Sequence, residues 1–298
     1  MNKTTLFVSV LVVLLAFGCV GQTPAGPTGT GVVMNTTLSS NRITQNGRTA
    51  ITVVVENNYE DTLTNLVGYL NGIITPDLEV SPGSPPNYTS STFNVAPNTR
   101  VRIGWTITAT TNAIKGSSYK PYVTICYDYL TKAYNDFAVT LEETTTITPD
   151  KGSTSGPVAV SFVGLETSFP KWAQTSVYPT LSISNVGPGK IQGIVSGNIT
   201  SVTINIPAPD GKSAAPEYTL NTSSIPSNLG ITCSGDADNG WTCTGTNIET
   251  WEGKLDIPFV INLNANNINR DFSKRLSAEV RYRYCMNSQQ LVFYVTGR

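Results

Sequence analysis

The stretch Tyr122-Val-Thr-Ile-Cys-Tyr-Asp-Tyr129 places an apolar or aromatic residue at every second position. Val123, Ile125 and Tyr127 fall on one face of an extended chain, and the residues between them fall on the other. Alternation with this period is typical of a strand with one buried face. The stretch therefore predicts a strand that packs its apolar face on a core.

The same alternation recurs along most of the chain, and no stretch of a dozen residues carries an apolar stripe of helical spacing. Turn signals such as Asn46-Gly47 and Asn239-Gly240 separate the alternating segments. Many short strands at this spacing predict an all-β fold of the sandwich type. The predicted strands are 49–56, 101–108, 122–129, 134–141, 158–165, 181–185, 201–206, 255–263, 276–284 and 290–296.

The two halves of the chain repeat one plan. Ile51-Thr-Val-Val-Val-Glu-Asn-Asn58 parallels Leu181-Ser-Ile-Ser-Asn-Val-Gly187, so each copy begins with a strand that ends in an Asn turn. Tyr122–Tyr129 parallels Ala278–Tyr284, so each copy closes with a Tyr-x-Tyr hairpin. The second arms of these hairpins are predicted at 137–139 and 292–295. The repeat predicts two tandem sandwich domains.

A chain of 298 residues is long enough for two domains of ordinary size. The segment between the two copies is rich in Pro, Gly, Ser and Thr, which is the composition of a linker. The predicted divisions are a signal peptide at 1–18, a Gly/Pro/Thr spacer at 19–32, domain 1 at 33–145, a linker at 146–156, and domain 2 at 157–298 with an insert near 207–250.

The pattern apolar-x-apolar-x-Asn-x-Gly, clearest at Leu181–Gly187, resembles prokaryotic surface domains of the CARDB type. The resemblance extends to both halves and rests on short motifs. It implies two tandem immunoglobulin-like β-sandwich domains in a bacterial or archaeal surface lipoprotein. It transfers no catalytic residue to this chain.

The N-terminus has the anatomy of a secretory signal peptide. One lysine precedes Leu6–Phe17, which is apolar except for Ser9. This run is shorter than the roughly 20 residues of a membrane-spanning helix, which favours a cleaved leader over an uncleaved anchor. An uncleaved helix becomes the alternative if residues 18–21 are counted in. The sequence therefore predicts export.

Cys19 stands where a lipid anchor would be attached. The preceding Leu15-Ala-Phe-Gly18 resembles the lipobox of prokaryotic lipoproteins, although Phe17 replaces the usual small or hydroxylated residue. The resemblance implies cleavage before Cys19 and a lipid on its thiol, on the outer face of the cell membrane. The spacer that follows suits a tethered domain. A plain signal peptide followed by an incidental cysteine is the alternative.

Four cysteines remain once Cys19 is set aside, and an even number suits a disulfide framework in an exported chain. Cys233 and Cys243 bracket a chain reversal at Asn239-Gly240, which predicts a disulfide between them. Cys126 and Cys285 fall on the more polar faces of their strands, where they could bond to each other across the two domains. Two unpaired, partly buried thiols is the favoured interpretation for this second pair.

Three kinds of ligand site can be considered from the sequence. Asp236-Ala-Asp-Asn239 is similar to a calcium loop, but Asn247 stands where a bidentate Glu is needed, so a solvated turn is expected and no metal site is predicted. Trp241 and Trp251 lie in the irregular insert and are candidates for an exposed aromatic platform, with packing under the loop as the favoured alternative. Asn-x-Ser/Thr sequons make candidates for glycosylation of Asn35, Asn87, Asn198 and Asn221.

Composition argues against several function classes. The chain has no histidine, nucleophile elbow or phosphate loop, which weakens most hydrolase and zinc-enzyme interpretations. Lys and Arg total 19 against 20 for Asp and Glu, so no global field would hold a nucleic acid. We expect no enzyme activity and no cofactor.

The sequence as a whole predicts an exported protein held by membrane lipid at Cys19. Its expected role is binding, spacing or adhesion toward an unidentified protein or glycan at the cell surface. One alternative is a structural subunit of a surface layer or filament that assembles through strand edges. A third is a glycan-binding or glycan-active protein, which for catalysis would need two converging carboxylates.

Overall fold

A computed structural model describes residues 31–82, 88–192, 198–210 and 214–297. Within these ranges the chain forms β-strands and two short 3-10 helices but no α-helix, and no helix there has the length and apolarity needed to span a bilayer. The all-β prediction is therefore confirmed. The elements are β1 Val32–Leu38, β2 Arg42–Thr44, β3 Arg48–Asn57, β4 Leu63–Asn71, β5 Leu78–Ser81, β6 Tyr88–Thr89, β7 Phe93–Val95, β8 Thr99–Ala109, β9 Ser118–Tyr119, β10 Tyr122–Thr140, β11 Lys151–Ser153, β12 Val158–Val163, β13 Phe169–Pro170, β14 Ser176–Val177, β15 Thr180–Asn185, β16 Lys190–Ile191, β17 Asn198–Ile206, β18 Tyr218–Asn221, the 3-10 helices Thr222–Ser224 and Ser227–Leu229, β19 Thr232–Asp236, β20 Gly240–Glu249, β21 Lys254–Pro258, β22 Val260–Leu263, β23 Phe272–Asn287 and β24 Phe293–Thr296.

The strands form sheets packed face to face. In the first half the sheet β1-β3-β8-β5 covers the central sheet, whose main path is β19-β20-β17-β23-β10-β4-β6. Trp105 of β8 lies against Gly68 of β4 at this interface, where a Cβ on the glycine would fall 2.8 Å from the indole. In the second half the three-stranded sheets β12-β15-β21 and β14-β22-β18 cover the same central sheet. The buried apolar residues of both halves form one continuous core.

Two long strands, β10 and β23, connect the halves through the central sheet. They pair antiparallel from Thr124 opposite Asn287 to Val139 opposite Phe272. The first part of β10 also pairs with β4, and its later part pairs with β11 and β13. The middle of β23, from Ser277 to Arg281, pairs with β17, and its last part pairs with β16. The pairing of β10, from the first half, with β23, from the second half, therefore joins the two halves in one sheet.

The predicted Tyr-x-Tyr hairpins are wrong for this reason. The segments predicted at 122–129 and 134–141 are one strand, because Leu130-Thr-Lys-Ala133 contains no turn residue and continues the alternation with Thr131 and Ala133 buried. The last strand, β24, pairs with β2 and β9 of the first half rather than with β23. Part of the predicted linker at 146–156 is also a strand, since β11 pairs with β10. The halves share a sheet as well as a connecting segment.

The Asn turn predicted from the internal repeat is present in both halves. Asn57 ends β3 opposite Val32, and Asn185 ends β15 opposite Val158. In each case the side-chain Oδ1 accepts from the backbone N–H two residues later, and Nδ2 donates to the carbonyl four residues later. The hydrogen bond to Oδ1 is 3.0 Å long for Asn57 and 3.2 Å for Asn185. The hydrogen bond from Nδ2 is 2.9 Å long for Asn57 and 2.8 Å for Asn185. The repeat in the sequence is therefore a repeat of local structure.

Five tyrosines pack together where the two halves meet. Ring centroids are 5.0 Å apart for Tyr59 and Tyr129, 5.9 Å for Tyr127 and Tyr284, and 6.2 Å for Tyr129 and Tyr282. All five side chains are buried. These rings pack in the core and contact one another between β10 and β23.

In the folded protein these tyrosines should ionise at a higher pH than tyrosines in the unfolded chain. Burial raises the pKa of Tyr59 and Tyr284 from 10.0 to about 12, and it also raises the pKa of Tyr127, Tyr129 and Tyr282 well above 10.0. Because each pKa is higher in the folded state than in the unfolded state, these tyrosines stabilise the fold fully below pH 10. This stabilisation is lost as the pH rises toward 12 and above.

Absorbance at 295 nm, followed during alkaline titration of native and urea-unfolded protein, measures this shift. We expect some tyrosines of the native protein, but none of the unfolded protein, to ionise well above pH 10. The urea concentration at the midpoint of unfolding should also be lower at pH 11 than at pH 9. A native titration in which every tyrosine ionises near pH 10 while the fold persists would contradict the assignment.

Candidate functional site

A disulfide joins β10 to β23 near one end of their paired region. Cys126 and Cys285 lie directly opposite each other, and their Sγ atoms are 2.03 Å apart. The interpretation of these residues as unpaired thiols is therefore wrong, and the alternative of a bond between them is correct. Strand parity had indicated the face of each cysteine, but the register that makes them neighbours arises only from the long pairing of two strands 159 residues apart.

The second disulfide is the one predicted from the turn. Cys233 of β19 and Cys243 of β20 are opposite each other in a hairpin, with Sγ atoms 2.00 Å apart. Two disulfides indicate that the protein folds in an oxidising, extracellular environment.

In the acidic turn of this hairpin, the carboxylate of Asp236 accepts hydrogen bonds from the turn itself. Oδ1 of Asp236 accepts hydrogen bonds from the backbone N–H of Asp238 at 2.9 Å and from the backbone and side-chain nitrogens of Asn239 at 2.9 and 3.0 Å. In the described ranges no group of three or more His, Cys, Asp or Glu residues could hold a metal ion. The carboxylate shapes the turn.

The two candidate platform tryptophans differ in exposure. Trp241 is 7% exposed and lies on the buried side of β20 with Cys243, and its ring centroid is 6.3 Å from that of Tyr218. Its interpretation as a platform is wrong, because strand alternation directs it into the core. Trp251 is 81% exposed and stands outside the named strands. Of these two tryptophans, Trp251 is the one whose aromatic face is exposed.

A tight turn holds Trp251 in place. The backbone N–H of Trp251 donates to the carbonyl of Lys254 at 2.9 Å, and the N–H of Lys254 donates back at 2.8 Å. Glu252 and Gly253 between them have φ of 49° and 77°, the left-handed pair that a two-residue hairpin turn requires. The Glu-Gly dipeptide is the sequence signal for this turn, and it was not among the turns singled out from the sequence.

A cleft of about 840 Å³ opens beside Trp251. It lies between the end of β20, the start of β21 and the loop around Gly230, and exposed polar side chains form much of its lining. The exposed lining side chains include Asn228, Asn247, Glu249, Trp251, Lys254 and Asp256. Such a lining combines one apolar face with several hydrogen-bonding groups.

A second cleft, of about 730 Å³, lies over the outer face of the β10–β23 pair. Arg283 Nη1 contacts Asp128 Oδ1 at 2.9 Å, and Asn65 Nδ2 donates to Asp128 Oδ2 at 2.8 Å. Arg281 also lines this cleft, and its guanidinium is 3.7 Å from Glu279. Sequence reasoning missed this cleft because its walls come from strands far apart in the chain.

The glycosylation candidates occupy different surroundings. Asn35 of β1 and Asn221 at the end of β18 are exposed. Asn198 is 7% exposed, and its Nδ2 donates to the carbonyl and Oδ1 of Asn247 at 3.3 and 3.1 Å. A glycan on this nitrogen would displace at least one of these contacts. Asn87 and the lipid-attachment candidate Cys19 lie outside the described residues.

Comparison with protein-family models finds no match, and comparison with curated proteins finds no significant similarity.

Proposed function

We propose that the protein is an exported, non-catalytic surface protein, anchored through a lipid on Cys19, whose two immunoglobulin-like units present a binding surface outside the cell. The anchor rests on the lipobox-like segment before Cys19 and on the Gly/Pro/Thr spacer after it. The extracellular setting agrees with the two disulfides.

The observation that carries this proposal is the pairing of β10 with β23. Strands that run through both halves, a disulfide across them and a buried tyrosine cluster couple the two units. Relative motion of the units would break strand pairs and expose these rings. A coupled body of this kind suits presentation of fixed surface loops to a partner.

The anchor is tested by the Cys19→Ser substitution. We expect the unaltered chain to sediment with membranes and, after detergent extraction, to have an intact mass that begins at Cys19 with added lipid. The Cys19→Ser chain should leave the membrane fraction almost completely. Cys233→Ser is the matched control, because it removes a cysteine without touching the anchor. A membrane-bound chain that still carries Met1 would contradict the lipid anchor.

Assembly through strand edges is a second candidate function, favoured by the edge strand β1. Among the strands that the structure describes, β1 pairs with β3 alone, and its sequence VVMNTTL carries no charge or proline to discourage further pairing. Sedimentation of the released Cys19→Ser protein over a range of concentrations separates the two roles. Growth into filaments would favour assembly, and a constant monomer would support presentation.

A further inference from the structure

The cleft beside Trp251 has the composition of a sugar-binding site. An exposed indole offers an apolar face that matches the C–H face of a pyranose ring. Amide side chains, here Asn228 and Asn247, donate and accept hydrogen bonds and can satisfy hydroxyl groups, which also do both. The Oδ1 of Asn247 is already held by Asn198. We propose that this cleft binds a neutral oligosaccharide, a proposal that rests on the proposed surface function and names its ligand class.

The charges around the cleft argue for a neutral sugar over an acidic one. Glu249, Glu252 and Asp256 are negative and exposed, and Lys254 is the positive residue among the lining side chains. Uronic or sulfated sugars would meet this excess of negative charge at short range. Hydroxyl groups instead can donate to the carboxylate oxygens.

The backbone around Trp251 holds the ring in position before a ligand arrives. Paired hydrogen bonds between Trp251 and Lys254 close the turn, and the N–H of Asn185 donates to the carbonyl of Gly253 at 2.8 Å. This attaches the turn to the end of β15. A fixed platform reduces the ordering cost of binding.

The site can extend beyond one sugar ring. Asn198 lines the Trp251 cleft and Thr200 lines the second cleft, two residues apart on β17 and therefore about 7 Å from each other. In the second cleft Asp128 and Arg283 neutralise each other, so that it adds polar contacts without a strong net charge. The arrangement suits a chain of several sugars.

Calorimetric titration of the purified full chain in detergent tests the proposal. The probes are neutral hexasaccharides of glucose, mannose, galactose and N-acetylglucosamine, with hexagalacturonate as the acidic probe. We expect at least one neutral probe to bind at millimolar concentration or below, and Trp251→Ala to weaken it by about tenfold or more. Asp256→Asn should weaken it less, because it removes a charge and keeps a polar group.

Trp172→Ala is the matched control. Trp172 is 65% exposed, lies on another loop beneath Lys171 Nζ, and does not line the cleft. Its substitution should leave binding unchanged. Failure of all four neutral probes, tightest binding of hexagalacturonate, or equal losses from both tryptophan variants would overturn the proposal. Because binding is measured on purified protein, its failure leaves the Cys19 result intact, and an unlipidated chain that binds a neutral probe would contradict only the anchor.

Discussion

Replacing Cys126 and Cys285 together by serine is expected to lower the free energy of unfolding by about 5 kcal/mol, the largest effect of any change considered. The bond closes a loop with a sequence separation of 159. The entropy that the unfolded chain loses on cross-linking grows with the logarithm of the loop length. The bond also joins β10 of the first half to β23 of the second half. Urea unfolding under non-reducing conditions measures the loss.

The double variant Cys233→Ser with Cys243→Ser is the internal comparison. Its bond closes a sequence separation of 10, for which the same relation gives about 3 kcal/mol. We therefore expect the first pair to be the more costly to remove. Equal losses, or a larger loss from the hairpin pair, would show that the long-range bond does not constrain the unfolded chain as assigned. Non-reducing peptide mapping should first find Cys126 and Cys285 in one linked fragment.

Local pattern predicted some strands closely, because alternation is a property of neighbouring residues, but it missed others such as β4 and β20 and predicted β21 and β22 as one strand. The predicted strand 49–56 corresponds to β3 at Arg48–Asn57, and the predicted strand 101–108 corresponds to β8 at Thr99–Ala109. The Asn turns were visible for the same reason, since the side chains of Asn57 and Asn185 bond to backbone only two and four residues away.

Features that depend on distant strands were not accessible from the sequence. The hairpin prediction assumed that each half closes on itself, whereas β10 of the first half pairs along most of its length with β23 of the second half. Nothing local distinguishes the two possibilities except the missing turn residues between Leu130 and Ala133. The Cys126–Cys285 bond follows from this long-range register, and so do the walls of the second cleft.

The two tryptophans of the insert also differ in how far local pattern could predict their exposure. Trp241 follows the strand alternation and is buried, so parity within β20 could have placed it in the core. Trp251 lies in a turn, where alternation gives no direction, and its 81% exposure is set by a two-residue hairpin. The sequence identified Trp251 as a candidate for an exposed aromatic platform, but the residues around it are known only from the tertiary structure.

The Asn57→Ala substitution is expected to cost about 3 kcal/mol of stability. Asn57 is fully buried, and its Nδ2 donates to the carbonyls of Asp61 and Val95, both at 2.9 Å. Its Oδ1 accepts from the N–H of Tyr59 at 3.0 Å. Alanine would leave these buried backbone groups without their side-chain partner, and each such loss costs on the order of 1 kcal/mol or more. Urea unfolding at neutral pH measures the change.

Two further asparagines serve as controls for this prediction. Asn58 is the exposed neighbour, so Asn58→Ala should change stability by less than about 0.5 kcal/mol. Asn185 makes the equivalent turn contacts in the second half but is only half-buried, so Asn185→Ala should cost about 1 to 2 kcal/mol. The expected loss of stability decreases in the order Asn57, Asn185, Asn58, because the turn contacts are buried at Asn57 and half-buried at Asn185, while Asn58 is exposed. If Asn57→Ala and Asn58→Ala had equal effects, the buried turn would not be what secures the end of β3.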